Sequence, residues 1–436
     1  MRVLGLDVGS SSIKGAILDT VSGEIAHFVS RPFPAPVRSS TAGAFEVAPV
    51  AVEQGVCAVV RQLLTLAPEA RSLFVSGQMG GTVLVDSAGA YRSNYVSWRD
   101  QRATVRPETG ATRLEEIRER WNQDVMASLG NELQPGSSST ICYCLQQTSG
   151  IPNDAIPVSI ADAVLGRLCG SAPRMHVTHA IGMVNLFTLD WHREAYALLG
   201  LEELTFPGLI HDLAPCGDWS IDNQTLAVYG TYGDQQCALR GAGLQPNEMS
   251  INVSTGSQVS MRTAEYSAGR YQGRCYFGGD VLKTMTHLPA GRSLNVLVDL
   301  LTELATAEGV TLQNVWQTIA SRSDAAESTG LEVDLAFFSG PLGSTGSITG
   351  ITTENLTVGQ LFRAAFLAMA QNYRRCADWL DPDGTWDSVV ICGGMTRTIP
   401  LLRQRIQELF PQPLRETVGD ETMLGLLEIA REVERG

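Results

Sequence analysis

The sequence is short of what several classes of protein require. No uninterrupted apolar run approaches the ~18 residues a membrane helix needs, and Asp7 stands where a signal peptide would carry its apolar region. Positive charge is in deficit. The 32 Lys and Arg against 46 Asp and Glu give a formal net charge of -14, which repels phosphate backbones and anionic membranes at long range. No basic cluster reverses that balance, so neither nucleic acid nor a membrane is expected as a partner.

Paired cysteines are missing too. The nine present (Cys57, Cys142, Cys144, Cys169, Cys216, Cys237, Cys275, Cys376 and Cys392) are scattered and odd in number. None forms the C-x-x-C pair of a zinc or redox site, so a reduced, cytoplasmic protein is the expectation. Cys142-Tyr-Cys144 reads as two ordinary thiols. Six histidines show no ligand spacing; His176 and His179 lie three apart without a carboxylate in register, and all six are expected to be structural or exposed. The helix-bound phosphate loop G-x-x-x-x-G-K-[ST] is absent as well, because Gly9 is followed five residues later by Lys14 and then Gly15.

What is present has a pattern. With 436 residues, 44% of them hydrophobic, the chain can bury a sizeable core in two or three domains. VLGLDVGSSSIKGAILD, Val3 to Asp19, reads as two strands around a Ser/Gly turn whose N–H groups and hydroxyls are free to meet an anion. Asp7 interrupts the first strand, and a buried carboxylate costs several kcal/mol unless something faces it. A second hydroxyl-rich strand-turn-strand follows in MSINVSTGSQVSMRT, Met249 to Thr263, at an offset of 245 that pairs Asp7 with Asn252. It suggests two similar halves, each presenting a hairpin to one cleft. Between and after the hairpins, strand-like runs (Leu73 to Ser76, Thr82 to Val85) alternate with helical patterns (Val47 to Ala67, LNVLVDLLTELA, VGQLFRAAFLAMAQNYRRCADWL). That alternation predicts an α/β chain with helix-covered sheets.

Two further stretches could do chemistry. LAVYGTYGDQQCALRGAGL runs from a strand through Gly230 and Gly233 into a helix at Asp234. A carboxylate there can take a proton from a substrate hydroxyl during phosphoryl transfer; equally, Asp before Gln-Gln-Cys-Ala-Leu makes a good helix N-cap. VVICGGMTRTIPLLRQRIQELF repeats strand, turn and helix, and Gly393-Gly394 is either a flat gap for an adenine or a tight turn.

In this order and spacing the motifs LDVGSSSIKG, SGQMGGTVLVD with SWRDQRA, GTYGDQQ, NVSTGSQ and ICGGMTRTIPLLRQ resemble the FGGY carbohydrate kinases of the actin-like ATPase superfamily. The resemblance implies two actin-like, ribonuclease H-like α/β domains, 1–228 and 229–436, around a central cleft that holds ATP and Mg²⁺. It makes Asp234 the general base, Asp7 the residue facing Mg²⁺ through water, and Gln78, Met79, Trp98 and Gln235 the sugar side. Ser10, Ser11, Ser12, Lys14, Thr255 and Gly256 would line the phosphates, and Gly291, Asn295, Gly394, Met395 and Thr398 the nucleoside. Asp100 and Arg102 read as a structural ion pair.

LCGSAPRMHVTHAIGMVNLFTLDW, NVSTGSQVSM and ELFPQPL are most similar to the branch that phosphorylates sedoheptulose at its terminal primary hydroxyl, giving the 7-phosphate. Kinases of ribulose, xylulose or a polyol share much of this. Many relatives read Gln-Met-His-Gly where this chain has Gln78-Met79-Gly80-Gly81, and many are longer in the second half. The partners implied are a small sugar and ATP, with room for a homodimer. An actin-like switch ATPase would share both hairpins without requiring Asp234 or the sugar side, and a non-catalytic sugar or nucleotide sensor would suit Gly80 and the short chain.

Overall fold

The computed structural model describes residues 1–435. Its first sheet is built from β1 (Arg2–Val8), β2 (Ser12–Asp19), β3 (Ile25–Pro32), β4 (Ser72–Gly77), β5 (Pro215–Ile221) and β6 (Gln224–Gly233), in the order β5-β6-β4-β1-β2-β3. The second holds β7 (Glu248–Asn252), β8 (Ser257–Thr263), β9 (Gln272–Cys275), β10 (Val281–Leu288), β11 (Ser388–Cys392) and β12 (Leu414–Glu416), in the order β9-β10-β8-β7-β11-β12. In each sheet an antiparallel hairpin, β1-β2 or β7-β8, sits at the centre and parallel strands extend from its first member. The similarity between the halves read from the two hairpins therefore extends to strand order and direction. The expected boundary at 228/229 falls inside β6, whose pairing with β4 continues to Gly233 and Gly77.

Both faces of the central strands are covered, which is why they read as apolar runs rather than alternations. The helix α1 (Pro49–Leu66) starts on Pro49 and buries Val52, Val56, Val59, Val60 and Leu63 on one stripe. It presses so closely on β2 that a side chain at Gly15 would meet Leu63 at 2.7 Å and Val59 at 2.8 Å. Two helices, α2 (Asp234–Gly241) and, at the far end of the chain, α5 (Glu421–Arg435), fill the space between the sheets. α3 (Gly291–Ala307) and α4 (Val358–Leu380) belong to the second half. α2 and α5 touch backbone to backbone at two glycines: a β-carbon on Gly241 would stand 1.9 Å from the Glu421 carbonyl, and one on Gly425 2.0 Å from that of Cys237. Around them Val3, Leu18, Phe74, Leu239, Leu282, Val390, Met423 and Leu426 form one core shared by both halves. Each such side chain contributes roughly 1.5–3 kcal/mol by its burial.

All nine cysteines are free thiols, and burial pushes the Cys142 and Cys144 thiols up to about 12 and about 11. Among the described residues no helix is long and apolar enough to cross a membrane.

Candidate active site

Three parallel strands of the first sheet, β1, β4 and β6, end side by side. Ligands of α/β sheets lie beyond such carboxyl ends, and here the strands deliver Asp7, Gln78 and Asp234 to one place. Asp7 Oδ1 accepts the Ser76 hydroxyl at 3.0 Å, and Oδ2 lies beneath the turn, 3.5 Å from where a β-carbon on Gly9 would stand. Burial above all, then the neighbouring Asp234 carboxylate, lifts the Asp7 carboxyl to about 7 against the opposing pull of Lys14.

Asp234 is the first residue of α2, not its cap. The cap position is Gly233, no side chain caps the helix, and Asp234 Oδ1 accepts only the Gln235 N–H, at 2.8 Å. Burial raises this carboxyl too, and the Gln235 N–H, His179 and Arg274 partly offset the rise. Of the two readings left open by the sequence, the capping role is therefore not the one the fold uses.

Of the residues expected to meet the sugar, Gln78 is buried, accepting the Tyr95 hydroxyl at 3.2 Å and donating to the Gly9 carbonyl at 3.4 Å. The sulfur of Met79 lies against the backbone of Gly233, 2.7 Å from the position of a β-carbon there. Trp98 is 36% exposed, so it is not core. The loop carrying it is clamped by Arg102, which reaches Asp100 at 2.9 Å and Glu46 at 2.6 Å; the expected structural ion pair thus fixes the direction of Trp98 and Arg99. Gly80 has φ +76°, and a β-carbon on it would lie 3.2 Å from that of Trp98. A histidine at this position would carry the strain of a left-handed backbone and press on Trp98.

Two readings are corrected by the fold. Gln235 does not turn its amide toward a sugar: Nε2 donates to Gln258 at 2.8 Å and Thr284 at 3.1 Å, while Oε1 accepts from Arg274 at 2.5 Å. Arg274 is itself ion-paired to the buried Glu132 of the other half. His179 does have a carboxylate partner, Asp162, at 3.0 Å, from the helix Ile160–Cys169. Its other nitrogen lies 2.9 Å from the Gln78 carbonyl, so this buried histidine holds the Gln78-Met79 turn from behind.

The residues expected to line the phosphates are divided between the hairpins. In the first, Gly9 N–H closes the turn on the Ser12 carbonyl at 3.0 Å, Ser11 is exposed, and Ser10 accepts a bond from Arg99 at 3.1 Å. Lys14 is occupied, 2.5 Å from Asp420. In the second, Thr255 and Gly256 are exposed with open space over Gly256, while Ser257 is anchored to Tyr373 of α4 at 2.8 Å. Gly291 faces both Thr255 and Met395, since its β-carbon would lie 3.1 Å and 2.8 Å from them. Gly393 (φ +83°) lets its strand pass against Val253, and Gly394 opens the short helix Met395–Thr398. Thr255, Gly291, Gly394 and Met395 are thus brought together. Asn295, one turn into α3, and Thr398, bonded to the Met395 carbonyl at 2.9 Å, are exposed beside them.

Asp420, Arg99, Tyr95 and Glu132 carry no assignment in the sequence reading. Asp420 had a signal, a helix N-cap after a strand, and it does accept the Met423 N–H at 3.1 Å. Among the described residues no cluster of three or more His, Cys, Asp or Glu can cage a metal. Asp7 and Asp234 remain as neighbouring carboxylates at the ends of β1 and β6, the strands that flank β4. That donor set fits a Mg²⁺ ion completed by water and phosphate oxygens better than an all-protein site.

Two α/β halves of one strand order, each with a Ser/Gly hairpin at the centre of its sheet and an aspartate beyond its parallel strands, define the class of fold. Residues 2–241 match the N-terminal domain of the FGGY family of carbohydrate kinases. The chain belongs to that family. A gluconate kinase from Lactobacillus acidophilus superposes with a TM-score of 0.85 at 17% identity, over 100% of this chain and 89% of that one. A xylulose kinase from the same organism gives 0.83 at 17%, over 100% and 89%. Plasmodium falciparum glycerol kinase with ADP gives 0.85 at 16%, over 100% and 90%. At these identities the likeness establishes the fold. No curated protein matches the sequence.

Proposed function

We propose that this carbohydrate kinase transfers the γ-phosphoryl group of ATP to a terminal primary hydroxyl of a ketose, with sedoheptulose as the first candidate. The observation that carries the reading is Asp234: a carboxylate at a strand end, released from capping its helix and left with one N–H donor. Asp234 takes the proton of the sugar hydroxyl as that oxygen bonds to the γ-phosphorus. The bridging bond to the β-phosphate then breaks, and ADP leaves as the oxyanion. Asp7 would be the residue to hold a Mg²⁺ ion arriving with the nucleotide, and that ion would supply neutralisation of the phosphate charge. The hydroxyl-rich turns at Ser10–Ser12 and Thr255–Gly256 would receive the phosphates, and Gly291, Gly394 and Met395 the nucleoside. Gln78, Met79 and Trp98 would orient the sugar. The two halves act as domains that close on the cleft, excluding the water that would otherwise compete for the phosphoryl group.

The choice of sedoheptulose rests on the sequence segments quoted above. ADP release with MgATP over sedoheptulose, ribulose, xylulose, fructose, gluconate and glycerol, against a no-sugar control, tests it. The expected result is turnover with sedoheptulose above the others. A response to a different sugar keeps the kinase and overturns the substrate. Hydrolysis that ignores sugar moves the protein to a switch ATPase.

A further inference from the structure

The cations around the first hairpin are not equivalent. Lys14, one of only two lysines in the chain, is neutralised by Asp420 at 2.5 Å. Arg102 is neutralised by Asp100 and Glu46, and Arg274 by Glu132. Arg99 is different. It is half-buried, has no ion-pair partner among the described residues, and lies over the rings of Trp98 at 5.5 Å and Phe45 at 5.7 Å. One of its terminal nitrogens donates to Ser10 Oγ at 3.1 Å, which leaves its other N–H groups uncommitted.

Its place matters as much as its charge. Arg99 reaches from the sugar-side loop, beside the exposed Trp98, to the tip of the hairpin expected to hold the nucleotide phosphates. A phosphoryl group passing from one to the other crosses the space between them. The clamp that Arg102 makes on Asp100 and Glu46 fixes that loop, so the guanidinium is positioned before any ligand arrives. The Tyr95 hydroxyl, bonded to Gln78, feels both the Arg99 charge and the Asp234 charge.

We propose that Arg99 binds the transferring phosphoryl group, donating to its equatorial oxygens as charge spreads over them. A planar guanidinium suits that role, since it offers parallel donors to a phosphate and stays charged at any working pH. The assignment rests on the kinase reading above, so its test has one arm that needs no turnover.

Arg99→Gln and Arg99→Lys are compared with the unaltered protein. Steady-state kinetics with the best sugar of the panel and titration with MgADP, alone and with fluoroaluminate as a phosphoryl mimic, are the two measurements. In Arg99→Gln, kcat is expected to fall about 10²-fold, in line with removal of one preorganised charge from a transition state. KM for ATP stays within about threefold, Arg99→Lys recovers part of the loss, and the gain in nucleotide affinity brought by fluoroaluminate drops by about the same factor. Equal fluoroaluminate affinity in Arg99→Gln and the unaltered protein overturns the proposal. So does a loss of MgADP affinity in Arg99→Gln that is as large without fluoroaluminate as with it, because Arg99 would then only shape the hairpin. A protein that turns over no sugar yet loses fluoroaluminate binding on Arg99→Gln would sink the kinase reading and leave the anion site standing.

Discussion

Beyond the last parallel strand of each half stands an aspartate, Asp234 directly after β6 and Asp420 four residues after β12, and the two are used differently. Each precedes a helix, α2 or α5, that packs against its counterpart between the sheets. Asp420 caps α5 through the Met423 N–H and binds Lys14 of the opposite hairpin; both its donors are supplied by the fold. Asp234 is one residue too late to cap α2 and has the Gln235 N–H alone. A satisfied carboxylate stabilises the fold and has nothing left for a substrate, whereas an unsatisfied one costs stability and is free to react.

Asparagine at the two positions should therefore separate activity from stability, and the largest effect is expected at Asp234. Asp234→Asn should lower sugar-dependent ADP release by about 10³-fold or more. Its melting temperature should stay level or rise, because a desolvated charge has been removed. Retained turnover in a folded Asp234→Asn protein would refute the base assignment and, with it, the contrast between the halves.

The hairpins make the same contrast. By register Asp7 and Lys14 face each other across the first, and Asn252 and Gln258 across the second. The second hairpin is one residue shorter by this pairing, so the constant offset of 245 holds only up to its turn. The pair that flanks the turn is charged in the first hairpin and neutral in the second. Converting the first toward the second with Asp7→Asn is the next largest effect, a fall in turnover of about 10² or more. It also has a readout in the metal-free protein. The Asp7 carboxyl sits at about 7 in the fold against 3.8 for its ordinary value, so between those pH values the folded state holds a proton the unfolded state has lost. Stability then falls as pH rises from about 4 to about 7 and is flat above, by roughly 2–4 kcal/mol from this group. Urea midpoints measured with chelator at pH 5 and pH 8 should show the drop shrinking by that amount in Asp7→Asn; an identical drop in both proteins would show that Asp7 is not the group responsible.

The parts of this arrangement that lie within short segments were legible in the sequence. The hairpins, the strand-to-helix step at Asp234 and the helix Val358–Leu380 announce themselves by local pattern, because turn chemistry and periodicity act over a few residues. What escaped is contact between distant segments. Lys14 meets Asp420 at a separation of 406 residues and Arg274 meets Glu132 at 142, and neither residue carries a local mark of its partner. Gln235 shows the converse failure. Its place beside Asp234 suggested the sugar, yet the first turn of a helix points neighbouring side chains in different directions, and this one enters the second sheet.

That second-sheet contact exposes a cross-bracing of the halves. The second strand of each hairpin bonds to the start of the other half's helix, Lys14 to Asp420 before α5 and Gln258 to Gln235 in α2. The first brace is charged and the second neutral, so the difference between them measures what charge adds to an otherwise equivalent contact. Lys14→Gln and Asp420→Asn, singly and together, close a double-mutant cycle on the charged brace. Both side chains are about one quarter exposed, 26% and 24%, which keeps solvent screening substantial, and the expected coupling is about 1 kcal/mol or less, falling with added salt. This is the smallest of the expected effects. A coupling of several kcal/mol that ignores salt would mean that Lys14 and Asp420 are locked together through every state of the cleft, leaving Lys14 unavailable to phosphate; a small one lets Lys14 exchange Asp420 for a phosphate oxygen when the nucleotide arrives.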